Sequence, residues 1–209
     1  MNSIDKIITK KEQDLMTPES VLEDLLAGNQ RFIQNKFEHR DYSSQKTSAT
    51  TGQYPKAIVL SCVDSRVPVE TIFDQGIGDI FVSRVAGNFV NVDILGSMEY
   101  ACKVAGSKLV FVLGHEKCGA VSSACDHVEL GNITSMLKNI EPAVEQIKIE
   151  GERSSSNPEF VHAVVEKNVQ LNVERIRQES PILKSLEEEG KIKIVGGIYS
   201  LQTGEINLV

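Results

Sequence analysis

The sequence predicts an α/β protein built around a mostly parallel sheet. Three short apolar runs, KAIVLSCV, DIFVSRVA and KLVFVLGH, are rich in β-branched residues and do not alternate cleanly, as expected of strands covered on both faces. Helical patterns separate and follow these runs, and strands alternating with helices build parallel sheets through crossover connections. The closing KIKIVGGIYSLQTGEINLV adds a strand and a hairpin around Thr203 and Gly204, a source of one antiparallel edge strand. A chain of 209 residues is long enough to bury roughly two thirds of its extended surface in one domain, here residues 1–209.

Residues 3–15 carry an isoleucine-rich, charged pattern that suits a first helix. Thr17 and Pro18 form a cap and first-turn pair, and Val21, Leu22, Leu25, Leu26, Phe32 and Ile33 give the helix that follows an apolar stripe. From His39 to Tyr54 the chain is polar and aperiodic and reads as a surface connection. VDILGSMEYACKVAG is a crossover helix ending at Gly106, with Cys102 as a small apolar residue within it. A short helix near Cys118 follows the third run, and Pro142 interrupts ITSMLKNIEPAVEQIKIE. Asn157 and Pro158 start the longest amphipathic stretch, and PILKSLEEEG is a short helix stopped by Gly190.

A formal charge of −7 with no lysine–arginine cluster beside aromatic residues argues against nucleic acid as a partner. No apolar stretch is long enough to span a membrane, and MNSIDKIITKKEQDLM lacks the apolar core of a secretory signal. A cytoplasmic location is the expectation, with a periplasmic one if a leader has been removed. No dinucleotide fingerprint or Walker motif occurs, and four cysteines, Cys62, Cys102, Cys118 and Cys125, do not make a dense disulfide scaffold.

Chemistry-bearing residues collect where two apolar runs end. LSCVDSR closes the first and VLGHEKCG the third, so adjacent parallel strands bring Cys62, Asp64, His115 and Cys118 to one edge. Two thiolates and an imidazole are tetrahedral zinc ligands, and His115 and Cys118, three residues apart, can share one ion across a strand-to-helix turn. Asp64 is a fourth candidate that can also let go. In the CxDxR segment the Arg66 guanidinium can fork onto the Asp64 carboxylate, leaving Cys62, His115, Cys118 and water around the metal. Without that fork Asp64 closes the site. Two thiolates cancel the metal's charge, so activity should rise toward mildly alkaline pH. Two other classes stay open at this point: a thiol enzyme using Cys62 or Cys118 with His115 as base, and a module that zinc merely braces. Metal removal separates them.

C-V-D-S-R at 62–66 and G-H-E-K-C-G at 114–119 resemble the paired signatures of the β-class carbonic anhydrases. Similarity extends through TPESVLEDLLAGNQRF, FDQGIGDIFVSRVAGN and GGIYSLQTGEI, from residue 17 onward. The resemblance implies a four- to five-stranded sheet whose first four strands are parallel, flanked by helices. It implies one zinc per chain on Cys62, His115 and Cys118, and Asp64 with Arg66 as the dyad governing the fourth position. The implied reaction is reversible hydration of carbon dioxide to bicarbonate and a proton, by attack of zinc-bound hydroxide. It also implies a homodimer or tetramer with the cleft near the dimer interface, and residues 1–36 as a helical arm, loosely tied to its own chain, that packs on a partner subunit. Val67, Phe89 and Val90 are expected as pocket walls, and Arg84, Gly87 and Asn88 of RVAGN as a rim. A side chain at Gly119 is expected to crowd the metal turn, and its N–H to steady a thiolate. Some relatives carry an inhibitory bicarbonate pocket of tryptophan, arginine and tyrosine; Arg84 matches the arginine, but this chain has no tryptophan. No proton-exit residue is visible among His39, His127 and His162.

Overall fold

A computed structural model describes residues 4–209. Residues 1–3, the start of the expected arm and of the expected first helix, lie outside the described residues. Ile4 pairs with the backbone of residues 39–41, and the first helix, α1, is shorter than the pattern suggests, Lys10–Leu15. Its Thr9 cap and Glu12 bond reciprocally, satisfying donors that a helix start leaves open. α2 runs Pro18–Ile33 behind an equivalent Thr17–Ser20 box, with the expected proline in the first turn.

The polar stretch beyond His39 corrects the sequence reading, because it contains α3, Tyr42–Ser48. Asp41 starts it by accepting the N–H groups of Ser43 and Ser44. A serine-rich helix with so little apolar surface has no stripe to betray it; the cap is its one signal.

β1 (Ala57–Ser61) leads through the short α4 (Val69–Ile72) to β2 (Ile80–Arg84). α5 (Val92–Glu99) continues into a wider π turn at Tyr100–Val104 before β3 (Leu109–His115). α6 (Gly119–Cys125), α7 (Gly131–Leu137) and α8 (Glu141–Gln146) follow, with Pro142 placed at the start of α8. α9 (Pro158–Glu179), α10 (Pro181–Glu188), β4 (Lys193–Tyr199) and β5 (Ile206–Leu208) complete the order.

The strands of the described residues form one sheet in the order β2-β1-β3-β4-β5, parallel except for β5. Alternation along the strands splits the core into two layers. Ile58, Leu60, Val110 and Val112 face α5 and α6–α10, where Met98, Val121, Ile140, Phe160 and Val164 bury against them. Ala57, Val59, Leu109, Phe111 and Leu113 face α2 and α4, packing on Val21, Leu25, Ile72 and Phe73. β1 and β3 are buried at every position, as their sequences predict. β2 is not: it lies at the sheet edge, half-buried, with Arg84 exposed. α9 crosses the sheet closely because Gly114 and Gly196 carry no side chain; a Cβ at either would lie 2.6 Å or less from Val169.

The N-terminal segment is tied firmly to its own chain, unlike the loose arm anticipated. Val21 and Leu25 are core residues. Gln13, fully buried, donates to the carbonyls of Pro55 and Ala105, both at 2.9 Å. Asn29 bonds the backbone of Ile72, Gly204 and Ile206. Arg31 and Arg40 both grip Asp74, in the turn after α4.

Candidate metal centre

The chain leaves β1 toward β2 on one side and returns to β3 on the other, so the strand order reverses between β1 and β3. Crevices at such a switch point, beyond the carboxyl ends of the strands, collect ligand-binding groups. Cys62 immediately follows β1, His115 is the last residue of β3, and Cys118 caps the start of α6. Their ligand atoms all lie within 4.8 Å of one another, and all three residues are buried. The two sulfurs are 3.9 Å apart.

The donor set fits a metal ion with zinc's preferences. His115 Nδ1 lies 2.9 Å from the Glu116 carbonyl, which makes Nδ1 the protonated nitrogen and turns Nε2 into a lone-pair donor. That Nε2 is buried with no hydrogen-bond partner. A buried acceptor left bare is costly unless something else takes its lone pair. The sulfurs carry the complementary signal. The hydrogen bond from Cys118 pulls the Cys62 thiol well down, against burial, and the neighbouring His115 ring and the N–H groups of Gly87 and Asp64 pull the same way. The same contact and burial push Cys118 up, opposed by N–H groups of Val121 and Ala120 at the start of α6. Two sulfurs this close cannot both hold negative charge without a cation between them.

Asp64 sits beside this triad. Its Oδ2 is 3.9 Å from His115 Nε2. Arg66 holds it in a fork, Nε to Oδ1 at 2.9 Å and Nη2 to Oδ2 at 2.8 Å, and the Arg66 N–H adds a third bond to Oδ1 at 2.9 Å. These bonds, the Arg66 side chain's first, hold the Asp64 carboxyl far below the usual carboxylate range. Arg66 Nη2 also reaches the Lys117 carbonyl at 3.2 Å, linking the loop after β1 to the turn after β3.

The expected pocket residues divide. Phe89 and Val90 are buried in the same core layer as Cys62 and Cys118. Val67 is a correction: it is fully buried in the other layer, with α2 and α4, and lines the core rather than the crevice. Arg84 is exposed and serves the backbone, donating from Nε to the Cys62 carbonyl at 2.8 Å and from Nη2 to the Asp64 carbonyl at 2.6 Å. Gly87 has φ +83°, and a Cβ there would meet Ile140 at 2.4 Å; its N–H points to Cys62 Sγ at 3.3 Å. Asn88 is buried in a left-handed conformation, its side-chain NH2 unpartnered. Gly119 is the second correction. A Cβ there would meet nothing within 4 Å, so no crowding explains it, and the N–H groups facing the Cys118 sulfur are those of Ala120 and Val121.

Three groups escaped the sequence reading. Glu116, inside the GHEKCG signature, accepts from Ser200 Oγ at 2.9 Å and the Leu201 N–H at 3.1 Å, fastening the metal turn to the β4–β5 hairpin. Asn168 and Asn172 lie buried on the apolar face of α9 and bond the loop that carries Gly87. Their signal was two polar residues four apart in a stripe of valines. His39, His127 and His162 are all exposed. Cys102 and Cys125 are buried, their thiols pushed up to about 12 and about 11, in both cases first by burial.

The family model described as carbonic anhydrase matches residues 57–206. "Carbonic anhydrase 2" of Mycobacterium tuberculosis is 34% identical over 186 residues, covering 86% of this chain and 87% of that protein. The solved β-carbonic anhydrase CcaA superposes with a TM-score of 0.70 at 25% identity, covering 91% of this chain and 92% of that one. A structure from work on two tetrameric β-carbonic anhydrases of the ascomycete Sordaria macrospora shares the fold, with a TM-score of 0.68 at 21% identity over 90% of this chain and 93% of that one.

Proposed function

The chain belongs to the β-class carbonic anhydrase family, and from that premise we propose that it hydrates carbon dioxide reversibly with one zinc per chain on Cys62, His115 and Cys118, under control of Asp64 and Arg66. The observation that carries the reading is the forked Asp64–Arg66 pair beside an unpartnered His115 Nε2. When bound, zinc supplies a Lewis acid that makes water a nucleophile near neutral pH.

The protein's own groups do the rest. Three N–H donors of Arg66 occupy Asp64, whose Oδ2 is 3.9 Å from His115 Nε2, and would keep its oxygens off a metal held by Cys62, His115 and Cys118. Held ionised, Asp64 has only lone pairs to offer, so it accepts a proton-bearing oxygen and orients it toward the substrate. Carbon dioxide is apolar overall and needs a small dry wall, which Phe89, 4% exposed in the core layer of Cys62 and Cys118, suits better than the fully buried Val90. Arg84 holds the Cys62 and Asp64 carbonyls, so the ligand loop keeps its shape. The released proton passes to buffer.

The same reading takes the protein as a homo-oligomer with the site near a subunit interface. Support comes from the half-buried edge strand β2, whose Phe81 lines a groove of about 690 Å³ together with Val92 and Tyr100, and from exposed Val104. Arg84 joins that edge directly to the ligand loop. Contact of residues 1–36 with a partner, a cytoplasmic location and an absence of nucleic-acid and membrane partners belong to the proposal too. Among the described residues no helix is long and apolar enough to cross a membrane.

Zinc analysis paired with a carbon dioxide hydration assay tests the site. Wild type should carry one zinc per chain, and Cys62→Ser should lose zinc and activity together. Asp64→Ala should keep most of its zinc and lose roughly 10²-fold in rate, the lower end for a lost proton-handling group. Undiminished hydration by Asp64→Ala would remove the role given to that carboxylate.

A further inference from the structure

Asn168 and Asn172 are out of place by every local rule. Asparagine is a poor residue for a helix interior, and α9 otherwise turns Phe160, Val161, Val164, Val165, Val169 and Ile176 inward. Both amides are at most 2% exposed, so both carry hydrogen-bonding groups into an apolar layer where each must find a partner.

The partners form a directed chain. Asn172 Oδ1 accepts the Val90 N–H at 2.8 Å, which fixes Asn172 Nδ2 as the end facing Asn168. That Nδ2 donates to the Asn168 carbonyl at 2.8 Å and to Asn168 Oδ1 at 3.1 Å. With its Oδ1 so occupied, Asn168 must present Nδ2 outward, and it donates to the Gly87 carbonyl at 2.9 Å. Gly87 in turn gives its N–H to Cys62 Sγ at 3.3 Å. Ile140 packs where a Cβ of residue 87 would sit, so the residue has little room to swivel on its own.

We propose that Asn168, oriented by Asn172, is a positioning residue for the metal: by holding Gly87 it aims a backbone N–H at the Cys62 sulfur and sets how tightly and in what geometry that sulfur binds the ion. This inference rests on the zinc reading of Cys62, His115 and Cys118. Groups one shell beyond a metal ligand fix its direction and basicity, and removing one costs roughly 10–100-fold in metal affinity. A purely structural pair of asparagines would satisfy the loop and leave the metal indifferent.

The test uses the full-length protein, stripped of metal and titrated with zinc against a chromogenic chelator. It adds the thiolate-to-cobalt absorption of the cobalt(II) form and thermal unfolding with and without zinc. The variants are Asn168→Ala, Asn168→Leu, which refills the space without a donor, and Asn172→Leu, which leaves Asn168 present but unoriented. Asn168→Ala and Asn168→Leu should weaken zinc binding roughly 10–100-fold, shift the cobalt–thiolate band, and shrink the rise in Tm that zinc produces. Asn172→Leu should move all three the same way by less. If the Asn168 variants lose Tm equally with and without zinc, while affinity and the cobalt band match wild type, the asparagines only brace the loop and the inference falls. Should Asn168→Ala not fold, Asn168→Leu and Asn172→Leu decide between the same two outcomes. A wild-type protein that takes up no zinc would instead bring down the metal reading itself, and this inference with it.

Discussion

Asp64 and Asp74 are both held by arginine, yet the two pairs differ in reach and in exposure. Asp74 is 2% exposed and takes Arg31 from α2, Arg40 from the segment before α3, and the Glu38 N–H. Arg40 also closes on the Asp74 carbonyl, and its side chain is only 5% exposed. Asp64 is held by its neighbour two residues on, and the Arg66 side chain is 52% exposed. The bonds of the first pair join segments more than thirty residues apart and pin α2 and the segment before α3 to the turn after α4. The second closes no long loop, so the fold gains little from it. What it fixes is the direction of a carboxylate 3.9 Å from an unpartnered imidazole nitrogen. Identical chemistry thus builds a fastener in one place and, on the function proposed above, a restraint on reactivity in the other.

The largest expected effect is on the fastener. Asp74→Ala leaves Arg31 without its carboxylate and the buried Arg40 with only Glu38, at 3.2 Å, and should cost about 3 kcal/mol in urea unfolding. Hydration per folded, zinc-loaded molecule should stay at the wild-type level. A stability change under about 1 kcal/mol would make Asp74 no different from an exposed pair. Next comes the restraint. Arg66→Ala should leave the urea unfolding midpoint close to that of wild type and retain zinc, but free Asp64 to reach the metal. The rate should then fall roughly 10-fold or more, within the range for misdirected catalytic groups. Arg66→Lys should fall between, because an ammonium cannot reproduce the two parallel bonds. Equal rates for wild type and Arg66→Ala would sever the restraint from the chemistry.

The same contrast explains what can be read without coordinates. Cys62, Asp64, Arg66, His115 and Cys118 are legible because the β1 and β3 runs are apolar throughout, so their ends are easy to find and their direction follows from the alternation with helices. Asp74 is not. It lies in a polar turn, and its partners Arg31 and Arg40 are distant in sequence; nothing local distinguishes it from a solvated aspartate. α3 is hidden for a related reason, since its cap and its serines resemble a loop. Nearness to Arg66 suggests the crevice for Val67, but the chain has already turned after β1, and strand alternation no longer predicts which layer it enters. Asn168 and Asn172 stand in plain view on the α9 stripe, yet their partners belong to a loop some eighty residues away. Residues at the ends of clear strands show in the sequence even when far apart; contacts between remote segments that lack such a marker need the fold.

The smallest expected effect separates the two aspartates by acid. Burial pushes the Asp74 carboxyl up, but the bonds from Arg31 and Arg40 outweigh it and hold it below the usual range; Asp64 is held down by Arg66. A carboxyl depressed by folding contributes stability above its unfolded value near 4, and that contribution is lost as pH falls through the folded value. One such group changes the slope of stability by at most about 1.4 kcal/mol per pH unit. Below pH ~4 urea unfolding of wild type should therefore steepen with acid, and Asp74→Asn should flatten that limb measurably. Asp64→Asn should flatten it far less at an ionic strength of ~0.15 M, where salt already screens its half-exposed partner. If Asp64→Asn proves the more effective of the two, then Arg66 braces the fold as strongly as Arg31 and Arg40 do. The division between a fastening pair and a restraining pair would then have to be given up.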